Sequence, residues 1–269
     1  HADDGPQVYV KLGQADPFKV SYDTRGREIT DAALGALTAR WDGPGVTLRS
    51  ITARRWFDSH DNRLDFDFTP APAAVLMDNY RFVDWTEELR VESPDPAARL
   101  RWRLGGFFED RQVHPDVGVA LGPGGSGGLN DAVSDQGYRT GAGFGRASFR
   151  IVPTIDVIGG LRIEAARVTI DHRHVLRSPA GTAIPLAAPF SGRVETLAWL
   201  PHVGLEWRPE PLLRLWASAA RSYRAGGLSQ LSDDPTLARF RPQFGWTYDT
   251  GVERPWWREQ LVTSLDLFW

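Results

Sequence analysis

Residues 200–253 read LPHVGLEWRPEPLLRLWASAARSYRAGGLSQLSDDPTLARFRPQFGWTYDTGVE. Val203, Leu205 and Trp207 alternate with Gly204, Glu206 and Arg208, and Pro209-Glu210-Pro211 then breaks the run. Leu213, Leu215, Ala217 and Ala219 alternate in turn with Arg214, Trp216, Ser218 and Ala220. A period of two gives a strand one apolar face and one mixed face. A long polar connection from about Ala225 to Phe244 follows, carrying Gly226-Gly227. A third alternation sets Tyr248, Thr250 and Val252 against Asp249, Gly251 and Glu253. Tight turns at one end of the strands and long loops at the other are the pattern of a transmembrane β-barrel.

The same rhythm runs through the rest of the chain. Residues 1–28 are polar and read as loop, apart from a short strand around Val8, Val10 and Leu12. Leu37, Ala39 and Trp41 lead into the turn Asp42-Gly43-Pro44-Gly45. From Val46 to Phe57 the parity is ambiguous, since Val46 and Leu48 share one face and Ile51 and Ala53 the other, which leaves room for a bulge there. Trp85–Val91 is a strand, turned by Ser93-Pro94-Asp95-Pro96. Leu100, Trp102, Leu104, Gly106 and Phe108 alternate with Arg101, Arg103, Gly105, Phe107 and Glu109 in the clearest strand of all. Strands at 138–151, 157–169 and 261–269 complete the set. The turns fall near 43, 95, 153, 210 and 256; long loops are expected at 58–80, 111–137, 171–193 and 225–243, with GPGGSGG (122–128) mobile. The fold class is all-β: an antiparallel meander of about ten long strands forming part of a transmembrane β-barrel.

Composition narrows the field. The chain has 269 residues, net charge −3, no Cys and eleven Trp. Without Cys there is no disulfide framework and no thiolate chemistry. The charge balance gives no footprint for a nucleic-acid partner. No apolar run is long enough for a spanning helix, but barrel strands alternate and pass below that threshold. His1 is not an initiator Met, and no basic-then-apolar leader follows, so the chain is expected to be an internal piece of a longer protein.

Several segments resemble the barrel domain of TonB-dependent outer-membrane receptors. They are SITARRWFDSHDNRLDFDFTP (50–70), TEELRVESP (86–94), LRWRLGGFFED (100–110), VIGGLRIEAA (157–166), VGLEWRPEPLLRLWASAARSYRAGG (203–227), YDTGVE (248–253) and the closing SLDLFW. The resemblance runs over nearly the whole chain and rests on the order of these segments. It implies a Gram-negative outer-membrane location and energised uptake of an iron-siderophore or similar scarce nutrient. It also implies contact with outer-membrane lipid and with the TonB energy-coupling complex. A complete receptor of this kind has an N-terminal plug domain and about 22 strands, so residues 1–269 are expected to form a partial barrel domain.

The candidate sites are few. Asp58, His60, Asp61, Asp65 and Asp67 resemble ligands but lack metal spacing and read as a solvated loop. His172 and His174 share one strand face, either gripping a metal or marking a strand end near water. Glu87 and Glu88 lie on opposite faces, so they cannot act together. Gly226-Gly227 is no phosphate cradle, because no Lys-Ser/Thr and helix follow. There is no G-x-S-x-G nucleophile motif, so no enzyme and no cofactor or metal is expected. Trp41, Trp85, Trp102, Trp207 and Trp269 fit an interfacial girdle, or else the core of a sandwich. Tyr80, Tyr138 and Arg224, at strand–loop junctions, are the expected ligand contacts. Two other readings stand beside the receptor: a soluble all-β Trp-rich module of the carbohydrate-binding kind, and a barrel enzyme or passive pore. Strand length separates the soluble module from the barrel.

Overall fold

The computed structural model describes residues 2–4, 16, 21–258 and 260–269, with only the backbone for 2–4; the expected strand around Val8, Val10 and Leu12 lies outside the described residues. The strands in chain order are β1 (Ala2–Asp4), β2 (Arg27–Asp42), β3 (Thr47–Asp65), β4 (Ala74–Glu92), β5 (Leu100–Leu121), β6 (Gly128–Val152), β7 (Ile155–Arg177), β8 (Ala183–Pro185), β9 (Phe190–Glu210) and β10 (Leu213–Arg224). They continue with β11 (Gly227–Leu228), β12 (Arg239–Phe240), β13 (Gln243–Trp256) and β14 (Leu261–Phe268); a single helical turn, α1 (Pro235–Ala238), precedes β12. Twelve strands form one antiparallel sheet in chain order from β1 to β14, with β8 pairing only β7, and β11–β12 form a separate ribbon. Among the described residues the one other sheet, the small β11–β12 ribbon, lies on the concave side, so the sandwich reading fails: the outward Trp and Leu side chains have no opposing layer. The sheet is an open, unclosed piece of barrel wall.

Register assigns the faces. Arg162 pairs with Phe144 and Leu200, and Leu161 with Gly145 and Pro201. On the Arg162 face, side chains reach across an intervening strand. Arg162 lies 5.2 Å from the Phe107 ring, Arg101 bonds Asp156 at 2.9 Å, and Tyr223 bonds Glu164 at 2.5 Å. Such contacts need a surface curved toward itself, so this face is the concave one. Leu161, Val203, Leu205, Leu265 and Leu267 share the convex face and are exposed. Ile163 and Leu215 have the same parity, whereas Leu213 pairs with Glu210 across a register shift; Arg162, Glu164, Glu206, Asp249 and Glu253 line the concavity. This matches the charge cost, about 2–4 kcal/mol for an Arg facing lipid at mid-bilayer. The five Trp named for a girdle all lie on the convex face by register. Trp41, Trp85, Trp207 and Trp269 are exposed there.

Two expectations need correction. The room left for a bulge between Val46 and Phe57 is not used, because β3 pairs β4 without interruption from Thr47 to Ser59; the shift falls between Ser59 and Arg63. Ile51 and Ala53 are simply apolar residues on the concave face. The expected loops 58–80, 111–137 and 171–193 are mostly strand, and only 66–73, 122–127 and 178–189 lie outside the long strands. GPGGSGG contains a 3₁₀ turn at Pro123–Gly125, with Gly122, Gly124 and Gly125 at positive φ. A bilayer needs only about nine to eleven tilted residues per strand, whereas β5, β6 and β7 have 22, 25 and 23. The surplus rises past the membrane. Both faces are wet there, so the alternation that reveals a strand disappears while the backbone pairing continues.

The upper limit of the apolar belt is visible on the convex face. Counting up each strand from its turn, and apart from Arg54 on β3 and Glu87 on β4, uncharged residues give way to charge at Asp58, Arg81, Asp110, Arg139, Arg167 and Glu195. Asp58 pairs with Arg81 in register, Arg139 bonds Asp110 at 2.8 Å, and Arg167 bonds Glu195 at 2.9 Å. Cross-strand ion pairs of this kind suit the headgroup boundary and are costly deeper in.

Candidate functional site

At the turn end, the concave wall is a web of ion pairs. Asp156, only 1% exposed, receives Arg101 at 2.9 Å, Arg208 at 3.1 Å and Arg150 at 3.3 Å. Arg103 and Arg49 meet Glu92 at 2.8 and 3.8 Å. These carboxylates are already neutralised and read as scaffold.

At the loop end, the concave wall changes character. Phe57 and Phe82, register partners on β3 and β4, stack with centroids 5.2 Å apart. Tyr80 meets Phe57 and Phe82 edge-on at 6.2 and 5.9 Å. Arg55 lies 5.7 Å over Phe82 and pairs with buried Asp84. On β5 and β6, Arg111 lies 5.5 Å over Tyr138 and bonds Glu109 at 2.5 Å. Register joins the two groups: Arg111 pairs with Tyr138 on one side and with Asp84, next below Phe82 on the concave face, on the other. The patch is thus flat aromatic surface with ion-paired guanidinium groups fixed at its margin, suited to a planar ligand.

A loop folds over the neighbouring wall. Leu228 on β11 and Ala238 on α1 pack against Ile170 and Val194, with Phe190 beside them. Gly192 leaves room for this: a Cβ there would lie 3.1 Å from Leu228 Cδ1. Asp234 caps α1 by accepting from the Thr236 amide at 2.7 Å. Asp233 sits between two histidines, 3.2 Å from His172 Nε2 and 2.8 Å from His174 Nδ1. His172 Nδ1 meets Ser134 Oγ at 2.8 Å, and His174 Nε2 meets Asn130. Gln136 joins the two regions, accepting from the Tyr138 hydroxyl at 2.5 Å and donating to Gln230 of the loop at 2.9 Å.

Tyr80 and Tyr138, both expected as contacts, therefore share one region of the concave wall. Arg224 does not join them; its guanidinium lies 6.0 Å over Phe240 at the root of the loop. Phe57, Phe82 and Arg111 went unremarked in the sequence, although their concave parity was there to be read. The histidine pair holds a carboxylate brought by the loop. The acidic run behaves as scaffold: Asp65 accepts from the amides of Asp23, Thr24 and Phe68, and Asp67 from those of Thr69, Ala73 and Ala74. Asp23, Asp65 and Asp67 do cluster closely enough to hold a cation, but those amide bonds already account for Asp65 and Asp67.

A wall with an apolar convex belt, an aromatic fringe and a polar concavity defines an outer-membrane barrel. The chain belongs to the TonB-dependent receptor-like β-barrel family, whose model matches residues 3–269. That family is one of transport receptors in the outer membrane of Gram-negative bacteria, and the chain is placed in that membrane. In fold it is similar to the ferric yersiniabactin uptake receptor of Yersinia pestis, with TM-score 0.71 and 12% identity over 91% of this chain and 36% of that one. The siderophore receptor PiuA of Acinetobacter baumannii matches with TM-score 0.68 and 11% identity over 93% of this chain and 41% of that one. The ferric-catecholate import receptor Fiu of E. coli K12, in its closed form, matches with TM-score 0.66 and 13% identity over 96% of this chain and 43% of that one. The chain thus spans well under half the length of these structures.

Proposed function

We propose that residues 1–269 are part of the barrel of an outer-membrane receptor that takes up an iron chelate, and that the loop-end concave wall touches the ligand. The observation that carries this is the patch of Phe57, Tyr80, Phe82, Arg111 and Tyr138. It faces inward, above the charged scaffold and beside the folded loop. Aromatic faces with guanidinium groups fixed at their margin recognise a chelate with planar donor groups. Arg224 contributes at the loop root rather than in the patch. Energy coupling through a plug and the TonB complex belongs to the rest of such a receptor. In strains relying on the complete receptor for iron, Tyr80→Ala combined with Tyr138→Ala is expected to weaken chelate binding at least tenfold with the barrel still folded. Deleting 228–240 is expected to impair uptake as well. Undiminished binding and uptake in both would place recognition elsewhere.

A further inference from the structure

The lower lumen carries one cation without a counter-charge. On the concave face from β2 to β9, every arginine but one among the described residues is ion-paired. The exception is Arg146 on β6, which is exposed. It faces inward, because it pairs in register with Arg103 and with Gly160, the inward position below Arg162. Two arginines thus stand directly opposite each other, and like charges so placed destabilise a sheet. Arg103 has Glu92 at 2.8 Å; Arg146 has no carboxylate. An uncharged polar side chain would suit a wet lumen without that cost.

The surroundings leave this guanidinium open. Gly160 offers it no side chain from β7; a Cβ there would lie 3.5 Å from the Arg146 Cβ. Arg146 lines two recesses. One, of about 390 Å³, includes Arg101, Arg103 and Ser148 toward the turns. The other, of about 350 Å³, includes Arg90, Phe144, Arg162 and His202. The acids of these recesses, Glu92 and Glu88, are held by Arg103 and Arg90.

Arg146 also stands in line with the upper patch. Arg111 and Tyr138 are register partners on β5 and β6, and Arg103 and Arg146 are partners eight residues below them. That is about 26 Å along the strands, or about 20 Å along the membrane normal at a tilt of about 40°. Between the two levels, Arg162 lies 5.2 Å from the Phe107 ring and 5.8 Å from the Phe144 ring. Thr140 and Ala142, inward on β6, keep the wall low. Aromatic surface therefore recurs down this column, and its guanidinium groups are paired until Arg146.

We infer that Arg146 is a transit site for an anionic chelate. The upper patch takes the planar groups of the cargo, and the β5–β6 column leads it down to the first guanidinium free to hold its negative charge. This rests on the receptor function proposed for the chain, and adds the sign of the cargo's charge and the side of the lumen along which it passes.

The test uses the complete receptor in iron-starved cells that depend on it, with radiolabelled iron on the chelate those cells secrete. Arg146→Gln is expected to leave surface binding in de-energised cells unchanged and to lower uptake about fivefold or more; Arg146→Lys is expected to keep most of the uptake. A second readout needs no chelate. The 269 residues contain no Cys, so Ser148→Cys, with any other cysteine of the receptor replaced, sets a thiol one inward position below Arg146. It is expected to react about tenfold faster with anionic sulfonatoethyl methanethiosulfonate than with the cationic trimethylammonioethyl reagent, and adding Arg146→Gln is expected to remove most of that preference. Resistance of the barrel to SDS without heating checks that each variant is folded. The upper patch is judged by surface binding in the Tyr80 and Tyr138 variants, and Arg146 by passage and thiol reactivity, so each can fail alone. Unchanged uptake in folded Arg146→Gln, uptake and surface binding falling together, or a thiol preference indifferent to Arg146 would each overturn the inference. So would entry of vancomycin through Arg146→Gln, which would assign Arg146 to a carboxylate from elsewhere in the receptor.

Discussion

The Tyr223 hydroxyl donates to Glu164 Oε1 at 2.5 Å, although β10 and β7 are separated by β9. Arg162 holds the other oxygen of that carboxylate at 2.6 Å. The bond spans a strand because the wall is curved, and it ties three strands together on the side away from lipid. Hydrogen bonds to a charged group contribute about 1.5–3 kcal/mol. Tyr223→Phe is expected to destabilise the barrel by about that amount, read from urea unfolding of the complete receptor in lipid. An unchanged midpoint would contradict the bond.

The folded loop should respond to acid. The Asp233 carboxyl is held below the ordinary aspartate range, chiefly by its hydrogen bond from His174 and further by His172, against partial burial. A carboxylate depressed in the docked state favours docking above its free pKa and loses that contribution as pH falls through the docked value. A spin label on exposed Leu231 is therefore expected to be immobile at neutral pH and to become mobile only as pH falls below the ordinary aspartate range. Asp233→Asn is expected to leave it mobile throughout. Equal mobility in both proteins would show that the apolar contacts of Leu228 and Ala238 hold the loop alone.

Gly251 has a steric role. A Cβ there would come within 2.2 Å of the Trp216 ring and 2.8 Å of the Leu265 carbonyl oxygen. Trp216 donates its indole N–H to Asp249 at 2.8 Å. Gly251→Ala is expected to displace that ring and cost about 1–3 kcal/mol, as overpacking does. Trp fluorescence and unfolding together check it, and an unshifted spectrum with unchanged stability would contradict it.

What the sequence revealed followed from a physical asymmetry. Within the belt, one face meets lipid and the other polar surroundings, so Leu161/Arg162 and Leu205/Glu206 announce strand, parity and orientation together. Above the belt no such asymmetry exists. His114 and Asp116 sit outward on β5 while Val113 and Pro115 sit inward, a pattern that reads as loop although its backbone pairs with β4 and β6. The candidate site was half legible for a related reason. Tyr80 and Tyr138 share the concave face through register, which parity supplies. Asp233 reaches His172 and His174 from about sixty residues away, and only the fold of the loop joins them.

The central claim is that this chain is a membrane-spanning wall with odd residues of β7 in lipid and even ones in the lumen. Single nitroxide labels placed from 155 to 177 on the cysteine-free chain, within the complete receptor in bilayers, test it most directly. Accessibility to oxygen, which concentrates in lipid, should peak at 157, 161, 163 and 165. Accessibility to a water-soluble nickel chelate should peak at the even positions between, and the contrast should fade above Arg167. A scan with no period of two across 157–165, or with the phases exchanged so that Arg162 meets lipid and Leu161 water, would contradict the account.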